Sequence, residues 1–326
     1  MTFHILALSG GGYRGLFTAQ VLKLLEKQAG RPIGECFDLI AGTSIGGIIA
    51  IGLAMGKTAE RITEVFADRG EKIFPYGEKP DSRFGRWRLY RRMLREPKYD
   101  SVELRSAVDA VVGYGKLIRD AKTRLLIPAV NMSKGSVQMF KTAHHPNFKL
   151  DKDRKAADVA LATSAAPIYF PMAEVGDSYF VDGGIVANAP DLCALLEAKH
   201  FLGQKQEDIR ILSIGTTTTK FSLPSSLGRK FGVAAWMANF RLTSTVSSAQ
   251  QQLVDFMMQH ELGDRYLRID TVPSVEQTVD LGLDLATESR RKTLLGLAEG
   301  EFQRVIANGK IKEFLEHKPE APTFFN

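Results

Sequence analysis

Cysteine is scarce in this sequence. The 326 residues include only Cys36 and Cys193, which is too few for a disulfide framework or a cysteine metal cluster. Both are expected to pack as small apolar residues, and no metal site is predicted. This usage favours a reducing compartment, the cytoplasm.

Long uncharged runs are also rare. The nearest thing to a membrane span is Leu39–Gly56, which carries no charge but is interrupted by glycines, Thr43 and Ser44. We therefore expect a strand, a turn and a helix there in place of a span. The chain opens with TFHILALSGGG, without the basic-then-apolar pattern of a secretory leader. These features predict a soluble protein.

Neither sign of charge dominates the sequence. The chain has 43 Lys and Arg against 37 Asp and Glu, a net charge of +6, and its pI is near 9.2. This moderate excess is compatible with anionic partners, either phospholipid surfaces or nucleotides, and equally with a mildly basic protein that binds neither.

Strand-like and helix-like segments alternate along the first two thirds of the chain, which predicts an α/β fold whose mostly parallel sheet is covered by helices on both faces. Beyond Gly215 the pattern is mainly helical. We predict one domain over residues 1–326, with a core at about 3–215 and a helical extension at about 221–326. The predicted strands are 3–8, 37–41, 124–130, 137–141, 178–182, 209–214 and 265–269, and the predicted helices are 13–28, 46–56, 156–165, 191–201, 231–262 (one or two) and 285–316.

The run GTSIG at 42–46 fits the nucleophile-elbow pattern G-x-S-x-G. Gly42 and Gly46 allow the chain to turn sharply from strand to helix, which lifts the hydroxyl of Ser44 above the sheet beside a helix N-terminus. The pattern is short, and an ordinary glycine-rich turn would also produce it. The apolar strand before it and the uncharged helix after it favour a nucleophilic serine.

The run GGGYRG at 10–15 permits two interpretations. Its glycines satisfy G-x-G-x-x-G, the fingerprint of dinucleotide-binding folds. That fold needs an acid at the end of the second strand, whereas Asp38 stands near the beginning of this one. We therefore favour an oxyanion hole built from the main-chain amides of Gly11 and Gly12, with the amide of Tyr13 as a further candidate. Arg14 could steady the loop or attract a phosphate, and Gly15 is the last glycine of the fingerprint pattern.

A serine nucleophile needs a base, and the run SYFVDGG supplies a candidate in Asp182. Gly183 and Gly184 would let this carboxylate approach another loop closely. An aspartate is a weak base at its usual pKa, so direct hydrogen bonding and partial desolvation must adjust it. The alternative is a Ser-His-Asp site that uses His200 or His260, since the chain order Ser, Asp, His is satisfied.

The segment Arg83–Arg95 holds six arginines and no acid. At helical spacing Arg88, Arg91, Arg92 and Arg95 share one face beside a face of aromatic residues. Three interpretations remain open: a solvated charged face, contact with an anionic membrane, or binding of a phosphate-bearing ligand.

Taken in order, GGGYRG, GTSIG and DGG, with ATSAAPIYFP at 162–171, resemble the patatin-like phospholipases. The resemblance covers about residues 3–215. It implies a three-layer α/β/α patatin-like fold and a Ser–Asp dyad without histidine, with Ser44 as nucleophile, Asp182 as base and Gly10 to Gly12 around the oxyanion. It further implies a lipid acyl hydrolase that cleaves membrane glycerophospholipids, needs no cofactor for catalysis and releases fatty acids. A dinucleotide-binding oxidoreductase or regulatory module is the alternative from another class.

The opening FHILALSGGGYRGL and the compact length resemble, more narrowly, the cyclic-dinucleotide-activated phospholipases of bacterial anti-phage (CBASS) operons. That resemblance implies activation by a nucleotide such as cyclic GMP–AMP and attack on the host's inner membrane from the cytoplasm. It implies no DNA or RNA partner. A closed lid or an inactive homo-oligomer could keep such an enzyme in check.

Overall fold

A computed structural model describes residues 2–75, 82, 91, 95–217, 221–237, 241–274, 276, 277 and 281–325. Within these residues eight strands form one sheet. Their limits are β1 Phe3–Leu8, β2 Leu39–Gly42, β3 Arg124–Asn131, β4 Ser136–Lys141, β5 Ala173–Val175, β6 Ser178–Asp182, β7 Ile209–Ile214 and β8 Tyr266–Ile269.

Eleven helices lie among the described residues, between and after the strands. They are α1 Gly15–Ala29, α2 Ile45–Ala54, α3 Ala59–Ile73, α4 Val102–Val112, α5 Ala156–Ser164, α6 Gly184–Ala187, α7 Asp191–His200, α8 Val233–Met237, α9 Arg241–Leu262, α10 Glu288–Asn308 and α11 Ile311–Glu316. Short 3₁₀ turns occupy Gly12–Arg14, Ile33–Cys36, Ile118–Asp120, Gln206–Asp208, Ser225–Leu227 and Gly263–Arg265.

The sheet is parallel in its centre and antiparallel at one side. Its order is β5-β6-β3-β2-β1-β7-β8, and β4 pairs with β3 in addition. Strands β3, β2, β1, β7 and β8 run parallel, whereas β4, β5 and β6 are joined by antiparallel pairings. The predicted parallel centre is confirmed, and the antiparallel strands make the whole sheet mixed.

Helices cover both faces of the sheet, as the three-layer prediction requires. Because successive side chains of a strand point to opposite faces, β1 contributes to two separate cores. Leu6 and Leu8 pack in the cluster that includes buried residues of α1, α2, α3 and α10. Ile5 and Ala7 pack in the second cluster, with buried residues of α7 and α9.

Several element limits differ from the prediction for local reasons. Helix α1 begins at Gly15 because Gly12–Arg14 forms a 3₁₀ turn first. It ends at Ala29 and is capped by Gly30, whose φ of 68° is left-handed and whose N–H donates to the Glu26 carbonyl. The predicted helix 231–262 is two helices, α8 and α9. Strand β5 and helices α3 and α4 had not been predicted.

The C-terminal third packs on the core. Strand β8 pairs with β7, and α10 lies against α1. Near the C-terminus, His317 Nε2 lies 2.7 Å from Asp38 Oδ2, and the Phe325 amide donates to the Ala143 carbonyl at 2.7 Å. Among the residues described, no helix combines the length and apolarity needed to cross a bilayer.

Two strands approach each other end to end along one edge of β3. Strand β4 occupies the other edge over 126–131. On the shared edge β2 is parallel and reaches Ala41 opposite Leu126, while β6 is antiparallel and ends with Asp182 opposite Ala129. Their C-terminal ends therefore point at each other across a gap of two residues of β3. This topology brings residues 42–46 close to 182–184, although about 140 positions separate them in the sequence.

Candidate active site

Ser44 stands at the sharp turn between β2 and α2. Its backbone has φ 56° and ψ −127°, a left-handed conformation that costs an ordinary residue about 1–3 kcal/mol. A Cβ at Gly46 would lie 2.4 Å from the carbonyl oxygen of Leu8, so only glycine allows α2 to pass this close to β1. This is the geometry expected of a nucleophile elbow.

The hydroxyl of Ser44 donates a hydrogen bond to Asp182 Oδ2 at 2.7 Å. The other carboxylate oxygen, Oδ1, accepts the amide proton of Gly184 at 2.6 Å. Both carboxylate oxygens are therefore engaged, and the carboxylate is held in one orientation. A Cβ at Gly183 would lie 2.2 Å from the Pro128 carbonyl oxygen, so this glycine lets β6 end directly against β3.

Burial changes the chemistry of this carboxylate. Asp182 is 6% exposed, and desolvation raises its pKa from 3.8 to about 6, against the opposing effect of the hydrogen bonds from Ser44 and Gly184. A carboxylate with this pKa is still ionised at neutral pH and is a better proton acceptor than an exposed aspartate. The burial of Asp182 therefore supplies the desolvation that an aspartate needs to serve as the base for a serine.

Thr163 supports the serine from below, a role that sequence reasoning missed. Its Oγ1 accepts the amide proton of Ser44 at 3.0 Å and donates to the Pro128 carbonyl at 2.6 Å. Pro128 lies in the gap of β3 that neither β2 nor β6 pairs with. Thr163 thus fills that gap. Thr163 belongs to the run ATSAAPIYFP, which contributed to the family resemblance, but the sequence indicated no specific role for this residue.

The predicted oxyanion hole in the glycine loop needs a correction. The amide of Gly10, assigned to the oxyanion hole, donates to the Asn188 carbonyl at 2.9 Å and is occupied. The amide of Tyr13 likewise donates to the Leu283 carbonyl at 2.8 Å. Among the described residues no acceptor lies within hydrogen-bonding geometry of the Gly11 and Gly12 amides. Those two amides are the ones left to receive a negative oxygen.

Close packing explains the other glycines of the three motifs. A Cβ at Gly10 would lie 2.5 Å from Asn188 Oδ1 and 3.2 Å from Ser44 Cβ, so this glycine serves approach to the serine. A Cβ would meet another atom within 3.0 Å at each of the remaining motif glycines, which are Gly11, Gly12, Gly15, Gly42 and Gly184.

Arg14 steadies the loop, one of the two roles considered for it. Its Nε donates to the Gly11 carbonyl at 3.4 Å and its Nη1 to the Thr217 carbonyl at 3.3 Å. Burial lowers its pKa from the usual range of arginine. These two bonds join the glycine loop to the segment that follows β7.

A clasp of three segments holds the loop from the C-terminal side. Leu283, which accepts the Tyr13 amide, is followed by Asp284, a buried residue whose Oδ2 accepts the Tyr99 hydroxyl at 2.7 Å and pairs with Lys98. The amides of Lys98 and Tyr99 in turn donate to the carbonyls of residues 168 and 169, at 2.8 Å each. The clasp therefore ties residues 98–99, 168–169 and 283–284 together.

An apolar cavity of about 380 Å³ opens at the serine. Its walls are mostly hydrocarbon, and its polar groups are concentrated near Ser44, Asp182 and the glycine loop. This arrangement suits a long apolar substrate with one reactive polar group. The apolar lining includes Leu16, Ile48, Phe66, Ile73, Phe74, Leu104, Ile168, Phe170, Ile185, Leu242, Val246 and Leu283.

The alternative sites are not assembled. His200 and His260 are exposed, and among the described residues that line the cavity there is no histidine. The dinucleotide fingerprint fails as well, because Asp38 accepts the His4 amide at 2.8 Å at the start of β2, at the opposite end of that strand from the glycine loop. Of the predicted arginine face, Arg91 and Arg95 are exposed, while Arg88 and Arg92 lie outside the described residues.

The family model for the patatin-like phospholipases matches residues 6–191, a span that contains the glycine loop, the elbow and the Asp-Gly-Gly turn. The chain belongs to the patatin-like phospholipase family. Its fold is the patatin fold, and the family consists of ester hydrolases, so this chain is an enzyme of that class.

Two phospholipases resemble this chain over nearly the whole length of both proteins. A protein of Pseudomonas aeruginosa named "cGAMP-activated phospholipase" is 41% identical, over 100% of this chain and 95% of that protein. One of the same name from Vibrio cholerae is 41% identical, over 92% of each chain. The solved structure of VipD from Legionella pneumophila has a TM-score of 0.42 at 14% identity, over 90% of this chain and 67% of that one.

Proposed function

We propose that this patatin-like phospholipase hydrolyses the acyl esters of membrane glycerophospholipids with Ser44 as nucleophile and Asp182 as base. The observation that carries the proposal is the 2.7 Å hydrogen bond from the Ser44 hydroxyl to Asp182 Oδ2, at the mouth of an apolar cavity. The raised pKa of Asp182 and the occupied second oxygen add support.

Acylation begins when Ser44 Oγ attacks the ester carbonyl carbon and passes its proton to Asp182 Oδ2. The carbonyl oxygen becomes negative and is stabilised by the amides of Gly11 and Gly12. Collapse of the intermediate breaks the ester C–O bond. Asp182 returns the proton to the departing glycerol oxygen, and a lysophospholipid leaves while the acyl chain remains on Ser44.

Deacylation repeats the sequence with water. Asp182 takes a proton from a water molecule as its oxygen attacks the acyl carbonyl, and the same two amides stabilise the second oxyanion. When the intermediate collapses, Ser44 Oγ regains the proton from Asp182. A free fatty acid is released and the dyad returns to its initial state.

A cyclic dinucleotide of the cGAMP kind activates the enzyme in this proposal. The support comes from three relatives named "cGAMP-activated phospholipase", which are 39–41% identical over at least 90% of this chain. Catalysis itself uses no cofactor. The enzyme acts as a single-domain anti-phage effector in the cytoplasm, at the surface of the inner membrane. A lid or the assembly of a homo-oligomer gates it, and it has no DNA or RNA partner.

The dyad is tested by fatty-acid release from vesicles of phosphatidylethanolamine and phosphatidylglycerol in the presence of cGAMP. Ser44→Ala and Asp182→Asn should each abolish release. Exposed positions offer matched controls in Ser136→Ala and Asp177→Asn, which should retain it. Full activity in either dyad variant would contradict the proposal, and loss of activity in His200→Ala or His260→Ala would favour a Ser-His-Asp site.

Activation is tested separately with the unmodified enzyme. Release should rise when cGAMP is added and stay low with linear dinucleotides. Equal rates with and without any cyclic dinucleotide would refute the regulatory part of the proposal and leave the hydrolytic part standing.

A further inference from the structure

The helix α9 has an outer face that is more apolar than its inner face. Its fully or largely buried positions include the polar residues Ser248 and Gln251 beside Met258 and Leu262. Five large apolar side chains are nevertheless exposed on it, beside exposed polar residues such as Gln252 and Gln259, whereas a surface helix usually turns its apolar side to the core. Those five apolar side chains are Leu242, Val246, Leu253, Phe256 and Met257.

These exposed side chains form one stripe. Positions 242, 246, 249, 253 and 256 are spaced by four, three, four and three residues, so they share one side of an α-helix. At 100° per residue that side lies opposite the buried Gln251. Leu253 and Phe256 are 54% and 61% exposed, so the stripe faces away from the core. We call these five positions together with Met257 the α9 stripe.

The α9 stripe continues into the mouth of the active-site cavity. Leu242 and Val246 belong to the stripe and also line the cavity. Ile185 of α6 lines it too and is exposed. The side chain of Gln250 ties α6 to the middle of α9 by donating to the Ile185 carbonyl. The α9 stripe and Ile185 therefore form one continuous apolar surface that reaches the cavity.

The distribution of charged residues on and beside α9 is compatible with contact to a bilayer. From Leu242 to Gln259 the helix contains one ionisable residue, Asp255, whose Oδ1 accepts from Tyr266 and Gln251 on the inner side. The outer face can therefore be desolvated without moving a charge out of water. At the N-terminal end of the helix, the Arg241 guanidinium lies over the Phe231 ring at 5.5 Å, close in the chain to two exposed bases, Arg229 and Lys230.

We propose that the α9 stripe is the surface by which the enzyme lies on an anionic phospholipid bilayer, with its N-terminal bases at the headgroups. This inference rests on the proposed function, because it presents the cavity mouth to the membrane that holds the substrate. A second copy seated on the stripe would instead cover that mouth. Uncharged apolar area beside a basic cluster is the combination that interfacial helices use.

The test measures binding apart from hydrolysis. In a Ser44→Ala background, the pair Leu253→Ser with Phe256→Ser removes the two most exposed stripe residues, neither of which lines the cavity. The fraction of the stripe pair that co-sediments with phosphatidylglycerol vesicles should be at least tenfold lower than that of the Ser44→Ala parent, measured with and without cGAMP. The matched control pair, Tyr114→Ser with Leu150→Ser, alters residues that are 90% and 84% exposed elsewhere and should bind as the parent does.

Each outcome decides one question. Parent-like vesicle binding by the stripe pair, or no binding by the parent itself, would overturn the docking surface. A parent that is a stable dimer and a stripe pair that is monomeric in light scattering would assign the stripe to a second copy. With Ser44 restored, both pairs should hydrolyse a monomeric short-chain ester equally. If the enzyme with Ser44 intact hydrolyses no ester while its Ser44→Ala form binds vesicles through the stripe, the proposed function fails and the docking surface stands.

Discussion

Replacing Asp182 by asparagine should abolish activity and at the same time stabilise the fold at neutral pH. Among the residues that the structure describes, no cation pairs with this buried carboxylate, and desolvation opposes its ionisation. Asparagine has nearly the same shape and can still accept the Gly184 amide proton through Oδ1. Its amide can donate to Ser44 Oγ, so both contacts persist with the charge removed.

The magnitude follows from the pKa shift. A rise from 3.8 to about 6 is about 2 pKa units, or about 3 kcal/mol. Because the folded pKa is raised, the contribution of Asp182 to stability is fully present below the unfolded pKa and is lost as pH rises through the folded pKa. Wild type should therefore be less stable than Asp182→Asn by about 1.5 kcal/mol at pH 5 and about 3 kcal/mol at pH 7.

Urea unfolding of both proteins at pH 5, 6, 7 and 8 measures this difference. It should grow from pH 5 to pH 7 and then stay level. The exposed substitution Asp177→Asn is the control and should show no such growth. If Asp182→Asn is no more stable than wild type at pH 7, or if the difference is independent of pH, then desolvation does not raise this pKa.

Three further predictions concern the same site. With Asp182 as base, kcat/KM on a monomeric ester should rise with pH, reach half its plateau near pH 6 and stay level to pH 8; a flat profile from pH 5 would exclude this base. Thr163→Val leaves the Ser44 amide and Pro128 carbonyl without a partner and should cost about 1–3 kcal/mol for each, measured by urea unfolding, whereas Thr163→Ser should restore most of it. Asp284→Ala releases the clasp and should lower kcat by up to about 100-fold with little change in KM; unchanged kcat would show that the clasp does not position the glycine loop.

The local signals predicted much of the site correctly. The glycines around Ser44 indicated a strained turn, and Ser44 has a left-handed backbone where α2 passes the Leu8 carbonyl. Gly183 likewise indicated a close approach, and it meets the Pro128 carbonyl. These signals were readable because steric demands of this kind act over a few residues and leave a mark on residue choice.

The errors have a different origin. The family resemblance grouped Gly10 with Gly11 and Gly12 around the oxyanion, and nothing local indicated that the carbonyl of Asn188, far along the chain, would accept the Gly10 amide proton. The partner of the Tyr13 amide, Leu283, is equally remote. The stripe on α9 was also missed, because helical periodicity reveals an apolar side but not which side the core will cover.

The sequence alone determined a serine elbow, a glycine-rich loop and an Asp-Gly-Gly turn, since each of these depends on sterics within a few bonds. The hydrolytic function was implied by their resemblance to a family. The tertiary structure decided which of them touch. Ser44 meets Asp182 because β2 and β6 end head to head on one edge of β3, and strand pairing of that kind depends on packing between distant segments.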